Sequence, residues 1–285
     1  MKEEIVNKKI LVIGDSIVDK VTYVSDAGTS LETPNLKVKH RDETIQLGGT
    51  ARVVNFLSEF DVDIEFFTNL EEKYIDRFEN KYLKLNLVDI GTLSTAEKNR
   101  FIVKKNNKYQ TIFQVNKAFK SASNSSIENF NFNNNNYDIV LLNDYRTGLF
   151  DKQLISKVNQ ANFKKVILAS QLSKNEKNIK NYKNFHTLIL NKYEFEKEFN
   201  TNVNFDFKYI DIFNDKLEKI IITLGEKGAL LITKNKNTYF PTDSKKFINT
   251  IGAGDIFLSS YLLFENINAA NRHSLDFLEE INEKL

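Results

Sequence analysis

One pattern recurs along the 285 residues and constrains the fold more than any other. A short, nearly continuous apolar run is followed by a polar or glycine-bearing turn, and then by a segment of helical period. The runs lie at 9–13, 64–67, 137–142, 165–169, 187–190 and 219–223. Runs of this kind, too short for buried helices and without alternation, read as strands covered on both faces. Strands separated by helices imply a mostly parallel sheet with right-handed crossovers. The residues at 229–232 return as a hairpin partner of the last run. An α/β class follows, and in open sheets of this class ligands bind beyond the carboxyl ends of the strands. Those ends carry Gly14-Asp15 with Asp19 close behind, Asn143-Asp144, Ser170-Gln171, and Asn191 with Glu194 opening a helix.

Two stretches break the pattern. Segments 20–46 and 98–116 alternate apolar and polar residues, as strands with one wet face do, and a polar turn at 106–108 closes a hairpin in the second. They are expected to form a small separate sheet, whose exposed edge invites a homodimer. Residues 72–84 read as a helix, and the Ser- and Asn-rich stretch 121–136 as a loop or a short, poorly packed helix.

Composition removes several function classes. Hydrophobic residues at 41% and charged residues at 27% describe a globular chain, and a net charge of +2 gives no attraction to nucleic acid or to an anionic membrane surface. No run approaches the length of about 18 apolar residues that a bilayer requires. The chain has no cysteine, which excludes disulfides and thiolate metal sites and fits a reducing, cytoplasmic setting. Met1-Lys2-Glu3-Glu4 leads straight toward the first strand, without the profile of a signal peptide. The three histidines, His40, His186 and His273, are too far apart to suggest a metal site.

Two glycine turns point to ligands. Gly48-Gly49 enters an amphipathic helix that carries Arg52, and Gly252-Ala253-Gly254-Asp255 enters an apolar helix at 256–264. Glycine leaves the backbone uncovered, and a helix start presents free N–H groups and the positive end of the dipole. Both turns therefore suit an anion such as phosphate. Asp255, in the first helical turn, can take a proton from a hydroxyl that attacks a phosphoryl group. A Walker-type phosphate loop is not an option at the first strand, because Asp19 stands where a glycine is needed before Lys20.

Taken in order, these residues resemble the ribokinase-like, or PfkB, carbohydrate kinases over nearly the whole chain. Gly14 to Asp19 is similar to the first-strand sugar contact, Gly48-Gly49 to the substrate-side double glycine, and Asn191-x-x-Glu194 to the Asn-x-x-Glu motif. Thr223-x-Gly225-x-x-Gly228 is similar to the nucleotide-side loop, and Gly252 to Asp255 to the anion hole and base. Within the family the look is closest to the heptose-phosphate kinases, through Gly14-Asp15-x-x-x-Asp19, Ser30-Leu31-Glu32-Thr33-Pro34, Lys98-Asn99-Arg100 and Asn143-Asp144-Tyr145-Arg146-Thr147-Gly148.

The resemblance implies a three-layer sandwich with a mostly parallel central sheet and a small β lid, built from residues 1–285 as one kinase domain. It implies ATP-dependent phosphoryl transfer to a hydroxyl of a sugar or sugar phosphate. Asp255 is then the base, and Gly252, Ala253 and Gly254 form the anion hole. Asp15, Asp19, Gly48, Gly49, Arg52, Arg100 and Asp144 lie on the sugar side. Asn191, Glu194, Thr223, Gly225 and Gly228 lie on the nucleotide side, with Glu194 orienting Mg²⁺ through water.

Three departures stand out. Asn249 replaces the usual Asp, Arg52 replaces a frequent Asn, and only thirty residues follow Asp255. The last of these leads to the expectation of an abbreviated nucleotide pocket, with Asn271 a remnant of the nucleotide-side asparagine, and of no following nucleotidyltransferase domain. Together they motivate an alternative, a non-catalytic sugar or nucleotide sensor on a kinase scaffold.

Overall fold

A computed structural model of the chain describes residues 8–30, 32–78, 83–87, 95–105, 108–117, 124–132, 136–171, 177–205, 212–213, 215–243, 247 and 249–283. In chain order the elements are β1 (Lys9–Gly14), β2 (Ser16–Thr29), β3 (Leu36–Gly49), α1 (Thr50–Leu57), β4 (Asp63–Thr68), β5 (Leu83–Leu87), β6 (Ala96–Lys105) and β7 (Lys108–Lys117). There follow α2 (Asn124–Asn129), β8 (Ile139–Asp144), α3 (Lys152–Gln160), β9 (Val166–Ser170), β10 (Thr187–Asn191) and α4 (Lys192–Phe199). The last are β11 (Lys219–Thr223), β12 (Ala229–Thr233), β13 (Asn237–Phe240), α5 (Ala253–Phe264) and α6 (Ile267–Glu283).

The large sheet has nine strands in the order β13-β12-β11-β10-β9-β8-β1-β4-β5. All neighbours from β11 to β5 are parallel, and β12 and β13 are appended antiparallel. The apolar runs fill it as their lack of alternation requires. Ile10 and Val12 point to one face with Ile64, Phe66, Leu141 and Ile221, while Leu11 and Ile13 point to the other with Val140, Leu142, Leu168 and Ile222. On the first face lie α1, α5 and α6; on the second, α3 and α4. Helix α5 is buried continuously from Asp255 to Leu263, the pattern of a helix enclosed on all sides, and it packs against both α1 and α6.

The small sheet has the order β3-β2-β6-β7. It consists of two antiparallel hairpins joined by a parallel pair, β2 with β6. Its strands run further than their alternation suggests: β2 and β3 are 14 residues each, and the far end of β3 delivers Gly48 and Gly49 to the carboxyl edge of the large sheet.

Two expectations change. The stretch 72–84 is not one helix: a 3₁₀ segment covers Glu72–Arg77, and Leu83 and Lys84 belong to the edge strand β5. The strand is held there by its neighbour β4, where Glu65 accepts hydrogen bonds from Lys84 (2.8 Å) and Asn86 (2.9 Å). In the Ser- and Asn-rich stretch, α2 is docked by Ile127, which is fully buried. Leu31 and residues 79–82, 106–107, 121–123, 133–135 and 244–246 lie outside the described residues.

Candidate active site

The carboxyl ends of the parallel strands meet the start of α5 at a cleft of about 260 Å³, roofed by Asp19, Lys98 and Arg100 from the small sheet. The turn before α5 is shaped locally. Gly252 has φ +94°, a left-handed conformation that a side chain disfavours. Asn249 Oδ1 accepts from the Ile251 N–H (3.0 Å), while Asn282 of α6 grips the Asn249 backbone on both sides, donating to its carbonyl (2.8 Å) and accepting from its N–H (2.9 Å). An aspartate at this position would offer the same acceptor oxygen to Ile251, so the departure at Asn249 preserves the turn and removes only a charge. Among the described residues, no backbone carbonyl accepts from the Gly254 or Asp255 N–H, and both N–H groups stand at the positive end of the α5 dipole.

Asp255 is 9% exposed. One of its oxygens accepts from the Tyr145 hydroxyl, and the other is 3.4 Å from Arg52 Nη1. Burial raises its carboxyl above the ordinary aspartate range, against the opposing pull of Arg52 and the Tyr145 hydrogen bond. The same guanidinium reaches the other way: Arg52 Nη2 donates to Asp19 Oδ2 at 3.0 Å, and Arg100 Nη1 donates to Asp19 Oδ1 at 3.2 Å. Burial and the Asp255 charge push the Tyr145 hydroxyl well above its usual range, so it stays a donor. Lys98 sits over the Tyr145 ring at 5.9 Å. The glycines fit around this network. A methyl on Gly48 would lie 2.2 Å from Asp19 Oδ2, and one on Gly252 would lie 2.7 Å from Arg52 Nη1.

Asp15 and Asp144 are not in the cleft with Asp19. Asp15 is fully buried behind it, where it accepts from the Tyr145 N–H (2.9 Å), the Thr147 hydroxyl (2.7 Å) and the Leu149 N–H (3.0 Å). Burial, and then the nearby Asp144 charge, outweigh these donors and raise Asp15 to about 7. Asp144 is held by the Arg146 N–H (2.8 Å), the Tyr182 hydroxyl (2.9 Å) and Asn178 Nδ2 (3.2 Å). Both carboxylates shape the 145–149 loop that presents Tyr145.

Asn191 and Glu194 form a reciprocal capping box on α4: Asn191 Oδ1 accepts from the Glu194 N–H and Glu194 Oε2 from the Asn191 N–H, each at 2.8 Å. Both also line the cleft, and burial raises the Glu194 carboxyl to about 7. Thr223 and Gly254 line the first cleft and also a second one of about 490 Å³. The second is walled by Gly225, Gly228, Phe247, Phe257, Asn271, Ser274, Leu275 and Leu278. Gly228, at φ +96°, has no room for a side chain, since a methyl would meet Phe240 O at 2.1 Å. Helix α6 forms much of this wall, so the nucleotide side expected to be cut short has one, and Asn271 stands in it.

A larger hollow of about 670 Å³, lined by residues such as Lys180, Tyr182 and Lys216, contains none of the predicted site residues. The histidines are accounted for elsewhere: His186 Nδ1 accepts from the Val166 N–H (3.0 Å), His273 Nδ1 pairs with the Ser260 hydroxyl (2.8 Å), and His40 is on the surface near Glu43. Among the described residues no three His, Cys, Asp or Glu side chains cluster as a metal site, and no helix is long and apolar enough to cross a membrane. Tyr145 and Lys98 stand within the family-like segments of the sequence but carry no role there. Their positions, one residue past a strand end and two before Arg100 on the same face, were the available signal.

The chain is similar to known proteins over most of its length. Residues 7–264 match the family model described as pfkB family carbohydrate kinase. The bifunctional protein HldE of Aliarcobacter butzleri (strain RM4018) is 26% identical over 267 residues, which cover 88% of this chain and 55% of that protein. The chain thus spans about half the length of the curated relatives it matches. Among solved structures, Arabidopsis thaliana ribokinase complexed with ribose and ATP superposes with a TM-score of 0.64 at 15% identity, covering 94% of this chain and 90% of that one. Phosphofructokinase-2 from Escherichia coli in complex with substrates and products does so with a TM-score of 0.68 at 12% identity, covering 95% and 93%.

Proposed function

The chain belongs to the pfkB family of carbohydrate kinases and has the ribokinase-like fold, and from that premise we propose that it transfers the γ-phosphoryl group of ATP to a hydroxyl of a sugar phosphate. The observation that carries this reading is the junction at Gly254. There the cleft holding Asp19 and Asp255 meets the second, partly apolar cleft, and the N–H groups that start α5 lie between them.

In this reading the acceptor lies between Asp19 and Asp255. Asp19 holds a sugar hydroxyl, and the double glycine keeps the backbone close. Asp255 takes the proton of the attacking hydroxyl; its raised affinity for protons suits a base. Tyr145 orients that carboxylate. The Gly254 and Asp255 N–H groups meet charge that develops on the transferred group, a stabilisation realised mainly in the transition state.

The second cleft fits the nucleoside half of ATP: Phe257, Leu275 and Leu278 offer apolar cover, and Asn271 and Ser274 offer polar groups. The phosphates would bring Mg²⁺, which supplies charge neutralisation and keeps much of its water. Glu194, which lines the cleft at the start of α4, suits a water-mediated contact to it. The small sheet acts as a lid over the acceptor and limits hydrolysis by water. Its edge strands are the proposed homodimer contact, and residues 1–285 the proposed kinase domain. A heptose phosphate is the proposed acceptor, supported by the segments that resemble that sub-group and by the similarity to HldE proteins.

The test is ADP release from Mg-ATP with heptose 7-phosphates, fructose phosphates, free hexoses, ribose and nucleosides, with Asp255→Asn as the control. Release that depends on one acceptor class and is lost in the variant supports the reading. Acceptor-dependent release that survives Asp255→Asn refutes the assignment of the base.

A further inference from the structure

Arg52 holds the two carboxylates that the kinase reading assigns to the acceptor. Its Nη2 is 3.0 Å from Asp19 and its Nη1 is 3.4 Å from Asp255, so the guanidinium spans the interval between them. It also lies against the anion turn, because a methyl on Gly252 would touch three of its atoms, Nη1 at 2.7 Å, Cδ at 3.1 Å and Cζ at 3.2 Å. The Arg52 side chain is only 14% exposed. An acceptor with one hydroxyl on Asp19 and another on Asp255 must occupy the space that the fork spans. We propose that Arg52 is a specificity latch: it covers Asp255 by bridging it to Asp19, and it is drawn off by an anionic substituent of the acceptor, so that acceptors with a phosphate are selected over neutral sugars.

The proposal rests on the kinase reading for the roles of Asp19 and Asp255, and deepens it by naming a residue that couples acceptor charge to release of the base. Three observations support it. First, a planar fork that already satisfies two carboxylates can exchange them for a phosphate without losing hydrogen bonds, whereas a neutral sugar would leave a partly buried guanidinium poorly paired. Second, the cleft holds donors in excess of its internal needs. Lys98 and Arg100 line it beside Arg52, and Asn143 Nδ2, also at the cleft, is buried with no hydrogen-bond partner among the described residues. Buried donors of this kind call for an acceptor oxygen from elsewhere. Third, Arg100 pairs with Asp19, and Lys98 bears on Asp255 only through its charge, so among the described residues the ion pair that covers Asp255 comes from Arg52.

The experiment is calorimetric titration, without ATP, of two matched pairs: fructose 6-phosphate with fructose, and sedoheptulose 7-phosphate with sedoheptulose. Wild type is compared with Arg52→Asn and Arg52→Lys, each first checked by thermal melting. Wild type is expected to prefer the phosphorylated member by about a hundredfold or more, the scale of one charge-assisted hydrogen-bond pair left unmade. In Arg52→Asn the gap should narrow to about tenfold or less, and part of the change must be a gain in affinity for the neutral sugar. Arg52→Lys keeps the charge but cannot span both carboxylates, and it should gain neutral-sugar affinity too; it carries the test if the asparagine variant does not fold. A simple phosphate clamp would lose affinity for the phosphorylated member and leave the neutral one unchanged, and that outcome overturns the proposal. Equal binding of both members by wild type also overturns it. If the affinities shift as expected but wild type never releases ADP, the kinase reading fails and the latch stands.

Discussion

Replacing Gly48 with alanine should damage acceptor binding through a carboxylate almost thirty residues away. The new methyl would stand 2.2 Å from Asp19 Oδ2 and 2.9 Å from its Cγ, so the Asp19 carboxylate must retreat by roughly an ångström to reach ordinary contact. Gly48 and Asp19 lie on neighbouring strands, since Ile17 pairs with Gly48, and the backbone has little freedom to absorb the strain. Retreat lengthens the hydrogen bonds from Arg52 (3.0 Å) and Arg100 (3.2 Å) together. Overpacking of this kind costs about 1–3 kcal/mol. At about 2–4 °C per kcal/mol for a domain approaching this size, the melting temperature should fall by roughly 2–12 °C. Acceptor binding loses a charge-assisted hydrogen bond of about 1.5–3 kcal/mol, which raises KM about 10- to 100-fold. Asp255 keeps its Tyr145 partner, so kcat should change much less. The assay is a thermal melt together with ADP release against acceptor concentration. A Gly48→Ala protein with wild-type Tm and wild-type KM would refute the placement of Asp19 against this glycine.

Other substitutions separate the parts of the site. Gly254→Ala meets nothing within 4 Å, so it should melt like wild type yet lose about a hundredfold or more in kcat, because the methyl enters the space between the two clefts; full activity would argue against phosphoryl transfer at that turn. Asp255→Asn should lower kcat by about 10²- to 10⁴-fold with the fold intact, read by steady-state kinetics and melting. Glu194, raised to about 7, carries its charge mainly above that pH, so the rate ratio of wild type to Glu194→Gln should grow from pH 6 to pH 8, and a constant ratio would count against a charged role. Asp15 is likewise raised to about 7, so the folded protein keeps a proton that the unfolded chain releases near pH 4. More protons bound in the folded state means that stability falls as pH rises from about 4 to 7. Asp15→Asn should flatten that part of the denaturation profile measured by urea melts, and an unchanged slope would show that Asp15 does not titrate there.

The strand–helix alternation was legible because a doubly covered strand must be apolar without interruption, and each run from 9–13 to 219–223 met that condition. The small sheet was legible for the converse reason, although its length was not: the polar ends of β2 and β3 carry no local signal for where a strand stops. The segment 72–84 misled because its apolar residues at helical spacing were outvoted by the edge of the large sheet, which offered Leu83–Leu87 a strand to pair with. Asn191 and Glu194 were readable as a helix start for a purely local reason, since the box closes within three residues.

The sequence by itself determined the elements and the kinds of chemistry, because hydrophobic period, glycine freedom and capping act over a few residues. It also determined that Gly252 and Asp255 sit at a helix start, where N–H groups are free whatever the rest of the chain does. Only the tertiary structure decided which carboxylates face the ligand. Asp15 and Asp144 stand at strand ends as plausibly as Asp19, yet both are consumed by the loop at 145–149, while Asp19 is turned into the cleft by the small sheet. It alone decided that Arg52 joins residues 33 positions before it and 203 after it, and that Tyr145 reaches Asp255 across 110. Such pairings depend on strand order, on the packing of α1 against α5, and on which way a side chain leaves its strand. None of these is encoded within the span of a motif.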